Sequence, residues 1–253
     1  VSALGHFLEE EGIATTIISL IRVHSEKVRP PRSLFVPFEL GRPLGAPNDP
    51  AMQKQVLKAA LDLLDRDDGP SFIEDFDYDG AYQEPTEDWQ NPAADMAVDT
   101  DVSDMAAARA AVRTEVAALR PLYDKAVAQS GRDPVGTSGL AMEQIADYVT
   151  AFLGEPPESP PDGARADISV AMILRYAADD LTAFYLHATS AGSLTRDLTP
   201  SSVQQTDWFW QQTAAAKVLI ALRAKWMDSD NTGLKTVCGR FMIPHMQIHG
   251  LGL

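Results

Sequence analysis

The chain has a single cysteine in 253 residues, Cys238, which rules out an internal disulfide and any metal site built from several of its own cysteines. Basic residues are scarce as well: 21 Lys and Arg stand against 36 Asp and Glu, for a net charge of −15. A chain this acidic is a poor partner for a nucleic-acid backbone or an anionic membrane face. No apolar run approaches the ~20 residues of a spanning helix, and no signal-peptide pattern is present. G-x-G-x-x-G, P-loop, G-x-S-x-G and C-x-x-C patterns are all missing, so the common nucleotide-binding and hydrolase signatures give no support. No internal repeat is evident. The composition, 45% hydrophobic and 23% charged, is that of an ordinary globular protein long enough for one large domain or two. With a lone thiol and no targeting signal, a reducing cytoplasm is the simplest home.

The stretch that organises the rest is 2–65. Leu4, Phe7 and Leu8 recur at helical spacing, and Gly12 can close that helix in a left-handed cap. Residues 13–21 are β-branched and nearly uncharged, and 34–38 form a short apolar run between Pro30-Pro31 and a Gly/Pro-rich loop; both read as buried strands. Asp49-Pro50 opens a second helix, with Asp as cap and Pro at the first position. Val56, Leu57, Ala60, Leu61 and Leu64 give it an apolar face. Helix, strand, short linker, strand, loop and helix is the order of an open parallel α/β sheet with flanking helices. Because Ser2 already resembles a helix cap, a strand and its loop are expected before Val1, and the α/β portion, 1–65, is expected to be incomplete at its start.

From 65 to 104 there are fourteen Asp or Glu and one base, Arg66, with Phe72, Phe76, Tyr78, Tyr82 and Trp89 interleaved. Residues 66–102 therefore read as an acidic linker or lid: a solvated connector pinned by its aromatics, a cover over a site, or a docking strip for a basic partner. Asp75, Asp77, Asp79 and Gly80 resemble the start of a calcium loop, but the twelfth position is Thr86 where a bidentate Glu is required, which excludes an EF-hand. Residues 103–253 read as a mainly helical domain. Helices are expected from the Ser103-Asp104 cap to about 130, over 140–153, 166–189, 202–227 and 234–241, followed by an irregular tail. Pro121 is expected to kink or break the first, and 154–163, rich in Pro, separates the second from the third.

Ligands in open α/β sheets bind at the carboxyl ends of the strands. The two strands end at Arg22 and His24 and at Glu39 to Arg42, so Arg22, His24, Glu39 and Arg42 fall on neighbouring loops, with Gly41 and Gly45 permitting close backbone approach. Arg22 or Arg42 would hold a small carboxylate, and His24 or Glu39 would move protons. The plainer alternative is surface salt bridging on Pro-stiffened loops. In the helical half, Tyr176, Asp180 and His187 share one helix face, first as a structural hydrogen-bond network and second as a ligand-facing cluster. His245 and His249 have i, i+4 spacing but lack the Glu of the zinc-protease pattern; with His187 they make only a weak metal reading, and no metal is assigned. Cys238 and the Trp208-Phe209-Trp210 cluster read as core. No cofactor is legible.

Leu8-Glu-Glu-Glu-Gly-Ile-Ala-Thr-Thr16 is followed by a strand, then by Val36-Pro-Phe-Glu-Leu-Gly-Arg-Pro-Leu-Gly-Ala-Pro47 and a helix opened by Asn/Asp, with Gln53 and Gln55 near its start. Over residues 2–64 this resembles the selenoprotein B family of glycine, sarcosine, betaine and D-proline reductases. The resemblance implies reductive cleavage of a carbon–heteroatom bond beside a carboxylate, by a selenocysteine or cysteine in the loop before the first helix, upstream of Val1. This chain has no selenocysteine, and Cys238 is distant in sequence. The expectation is a reductase- or lyase-like enzyme acting on a small amino acid or related carboxylate, alone as a homo-oligomer or with a partner subunit. The alternative is a non-catalytic subunit or binding module that docks a partner through its acidic segment.

Overall fold

Strands β1 (Ile17–Ser19), β2 (Arg32–Phe35) and β3 (Phe72–Asp75) pair in parallel in the order β1-β2-β3. The computed structural model of the chain describes residues 2–38, 40–45, 49–66, 69, 71–78, 89–96, 100–191 and 202–252. The chain gathers into two units, 1–84 and 85–253. The first is an open parallel sheet with helices and the second is mainly helical. The third strand falls inside 66–102, the stretch expected to be linker or lid, so that stretch is not connector throughout.

Parallel neighbours need a crossover. Between β1 and β2 it is a helix, α2 (Arg22–Val28), where the sequence suggested only a short linker. Its start, Ile21, offers no capping side chain, and Arg29 ends it in the left-handed region at φ 52°, so neither customary boundary signal is present. α3 (Pro50–Asp62) joins β2 to β3 and starts as expected: Asp49 accepts from the Met52 amide at 3.0 Å, with Pro50 at the first position.

Alternation along the strands sends neighbouring residues to opposite faces. Ile18 and Leu34 pack with Val56, Ala60 and Leu63 of the α3 region. On the other side lies α1 (Ser2–Glu10), which approaches so closely that a Cβ on Gly5 would stand 3.3 Å from Pro31 Cδ and 3.6 Å from Ile17 Cδ1. The unit is thus a sheet between helices. The expected helix faces are rotated: Leu57, Leu61, Leu4 and Phe7 are exposed, while Val56, Ala60 and Gly5 are buried. At the foot of the sheet Arg32 bonds Glu9, which also accepts from the Thr15 amide and hydroxyl. Burial works against that carboxyl, but these donors together hold it below its ordinary value.

The helical unit contains α4 (Met105–Ser130), α5 (Met142–Ala151), α6 (Val170–Thr189), α7 (Ser202–Gln212), α8 (Ala214–Trp226), α9 (Thr232–Arg240) and α10 (His245–Gly250). Asp104 caps α4 as expected. Pro121 does not break it: Pro121 and Ala117, whose carbonyl loses its partner, are both exposed, where water can satisfy the freed group. The tail is helical over 245–250, not irregular. Trp208, Phe209, Trp210 and Cys238 are core, as read from the sequence.

The continuous helix expected over 202–227 is broken at Thr213. Its hydroxyl donates to the Phe209 carbonyl at 2.8 Å and accepts from the Ala216 amide at 3.1 Å. Next to it Glu115, on α4 and only 1% exposed, accepts from the amides of Ala214 (2.7 Å) and Ala215 (3.2 Å) and from the Tyr185 hydroxyl of α6 (2.8 Å). One carboxylate thereby caps α8 and ties it to α4 and α6, complementing the positive end of the helix dipole. At the other end of α8, Lys225 and Trp226 donate to carbonyls closing α5: Leu153 at 2.8 Å, Gly154, and Phe152 at 2.9 Å.

Replacing Glu115 by Ala strands two buried amides and a buried hydroxyl, and should destabilise the helical unit by about 3 kcal/mol or more. All four tryptophans, at 89, 208, 210 and 226, belong to that unit, so their fluorescence during urea unfolding reads it separately from the sheet. Glu115→Gln, which keeps the shape and one acceptor, should cost less; equal losses would show that the charge with both oxygens is what matters.

Candidate functional site

At the carboxyl ends of the strands the ladder continues by one bond on each side: the Val36 amide donates to Ser19 O at 2.9 Å and the Phe76 amide to Phe35 O at 2.8 Å. Beyond β1 the buried Ser19 and Ser25 hydroxyls meet at 2.6 Å and fasten the turn into α2. Arg22 is therefore the first residue of α2, directly past the strand. Its Nε donates to Glu26 at 3.0 Å and its Nη1 to Asp75, the last residue of β3. Between those partners its guanidinium carbon lies 5.7 Å from the centre of the Phe35 ring, at the end of β2. One cation thus reaches from the first strand across the second to the third.

The other predicted residues are placed differently. His24 is exposed on α2, two residues from Arg22, and positions i and i+2 do not face each other on a helix; the two are not brought together. Glu39 lies outside the described residues. Arg42 is half-buried in the turn closed by the Gly45 amide on the Arg42 carbonyl at 3.0 Å. Gly41, at φ +92°, faces open space. Gly45, at φ +84°, is required by packing, since a Cβ there would be 3.3 Å from both Phe38 Cζ and Met52 Cγ. The start of α3 is occupied by its own Asp49 cap. The strand order is sequential, so among the described residues the sheet has no point where its order reverses, the usual ligand crevice of such folds.

Sequence reasoning missed the pairing of Asp75 with Arg22 and the strand before it, though it read the aromatics beside Asp75 as pins. Phe38 packs edge-on against Tyr78 (5.0 Å) and tilted against Phe76 (6.2 Å). The signal was the apolar spacing Phe72, Ile73, Phe76 and Tyr78, submerged in a run of acids.

In the helical unit, Asp180 and His187 each have polar partners, but in separate sets, and no hydrogen bond among the described residues joins them into the one network expected. Asp180, 1% exposed, accepts from the amides of Gly136, Thr137 and Ser138 and from the Ser138 hydroxyl, at 2.6 to 3.1 Å. Three successive amides make a nest of the kind that binds anions, and here the chain's own carboxylate fills it. His187 lies 3.4 Å from the Ser130 hydroxyl and edge-on to Tyr123, whose hydroxyl donates to Asp133. Tyr176 stands apart from both, under the Arg165 guanidinium. A cleft of about 510 Å³ between α5 and residues 157–162 includes Asp147, which Arg113 already pairs with.

Among the described residues no group of three or more His, Cys, Asp or Glu could hold a metal ion, and the side chains of His245 and His249 lie outside them. No described helix is long and apolar enough to cross a membrane. Cys238 is fully buried, and burial pushes its thiol up to about 12, the environment of an inert thiol.

Two measurements follow from these environments. Cys238 should resist a disulfide-exchange reagent in the native protein and react fully once denaturant unfolds it; rapid native labelling would contradict its burial. Burial holds His187 below its ordinary value of 6.5, against the attraction of Asp133 and with the repulsion of Arg132. Above that value the ring is neutral whether folded or not. As pH falls through 6.5 the unfolded chain takes the proton first, so stability drops. The urea midpoint should therefore fall between pH 7.5 and 5.5, and fall less in His187→Gln; identical slopes would remove His187 from the effect.

Set beside known proteins, the chain matches no family model, no curated protein and no solved structure.

Proposed function

We propose that the α/β unit binds a small amino acid or related carboxylate at the carboxyl ends of β1, β2 and β3, within a reductase- or lyase-like enzyme that cleaves a carbon–heteroatom bond. The observation that carries this reading is that Arg22, set over the Phe35 ring, already holds a carboxylate through a pair whose side chains are 40% and 61% exposed. An ion pair that open to water contributes at most about 1 kcal/mol, so its carboxylate is exchangeable. Nε and Nη1 are engaged with Glu26 and Asp75. The aromatic surface below excludes water from one side of the guanidinium and favours planar recognition of a carboxylate.

The type of chemistry rests on the resemblance of residues 2–64 to the selenoprotein B family. In that reading the electrons come from a thiol or selenol; Cys238, buried with its proton held tightly, does not supply them.

Calorimetric titration of the whole chain with glycine, sarcosine, betaine and D-proline tests the proposal. At least one should bind, and Arg22→Ala should weaken it about tenfold or more, with the urea midpoint nearly unchanged. Binding untouched by Arg22→Ala would remove Arg22 from the site, and no binding of any of the four would overturn the carboxylate-binding reading.

A further inference from the structure

Asp75 reaches Arg22 across 53 positions of sequence, and the chain carries it there on a short segment with contacts of its own. Immediately past Asp75, the Phe76 amide bonds the Phe35 carbonyl at 2.8 Å. Phe76 then packs on Phe38 at 6.2 Å and Tyr78 on Phe38 at 5.0 Å. Phe38 is itself backed by the turn at Gly45. Residues 75–78 therefore carry β3 on past its last residue alongside the end of β2, fastened by a backbone bond and two aromatic contacts, with a carboxylate on a cation that reaches all three strand ends.

We infer that residues 75–78 form an autoinhibitory strap, in which Asp75 occupies Arg22 as an internal carboxylate and excludes a ligand carboxylate from it. The inference rests on the carboxylate-binding reading above. Three features suit a reversible block. The ion pair is exposed, so it opens without a large penalty. The aromatic contacts keep the tethered carboxylate at high local concentration, so it closes again quickly. Asp75 ends a strand held by only one neighbour, which lets the segment lift while β1 and β2 stay paired. A ligand competing with a tethered group of this strength loses affinity by the ratio of blocked to open site, roughly two- to sixfold for an exposed pair.

Calorimetry with glycine, sarcosine, betaine and D-proline on the full chain reads the effect. Asp75→Asn, which keeps the shape and removes the competing charge, should tighten binding roughly two- to sixfold. Tyr78→Ala, which loosens the strap without touching Arg22, should tighten it in the same direction. Circular dichroism establishes that each variant is folded. Binding that depends on Arg22 yet is unchanged in both variants overturns the strap and leaves the site standing. Absence of binding in the wild type and in Asp75→Asn alike overturns the site and the strap together.

Discussion

A buried carboxylate must find donors or it destabilises what surrounds it, and in the helical unit Glu115 meets that constraint at a helix start. Its oxygens gather the first amides of α8 and the hydroxyl of Tyr185, so three helices are fixed by one side chain. Burial and the adjacent carboxylate both hold the Tyr185 proton in place, well above the ordinary phenol range. The surrounding packing is apolar and non-directional: Leu119, Phe184, Phe209 and Leu219 fill space without dictating where a helix begins. Glu115 and Thr213 supply the direction. Asp180 plays the same part for the loop before α5, where three amides would otherwise be orphaned.

The sheet unit is held differently. Its strands are three or four residues long, and its stability rests on close approach, with α1 seated through Gly5 on one face and α3 through Val56 and Ala60 on the other. Polar groups appear at the two ends of the strands. At the foot, Glu9 and Arg32 are enclosed by Thr15 and form a fixed joint. At the carboxyl ends, Arg22 and Asp75 stand in water and form a labile one. The same pair of charges is a fixed part of the architecture where it is shielded and an exchangeable contact where it is not.

The parallel sheet with its helices, and the helical second half, were legible because they depend on local patterns: β-branched runs between breakers, the Asp49-Pro50 and Asp104 caps, and 3.6-residue periodicity. What stayed hidden depends on partners far along the chain. α2 has no cap and ends on a non-glycine residue, so nothing local announces it. β3 pairs with β2 across some forty residues, and its acids, Glu74 and Asp75, are tolerated because that end of the strand is exposed. Leu57 and Leu61 look like core on a helical wheel, yet the sheet meets the adjacent face. Of the candidate site, Arg22 could be named from its position after a strand. Its partner Asp75 could not, since their meeting is a product of sheet register.

The break at Thr213 also bears on the order in which the helical unit assembles. The bonds from Ala214 and Ala215 to Glu115 close loops of 99 and 100 residues, and the bond from Tyr185 closes one of 70. Contacts of such long range come late, because their loop entropy is repaid only after the intervening segments have condensed. Before α4 and α6 dock, nothing beyond Thr213 itself favours a stop, and 202–227 is free to run as a single helix, as its local pattern suggests. The two-helix form of that segment therefore depends on the finished tertiary structure as well as on Thr213.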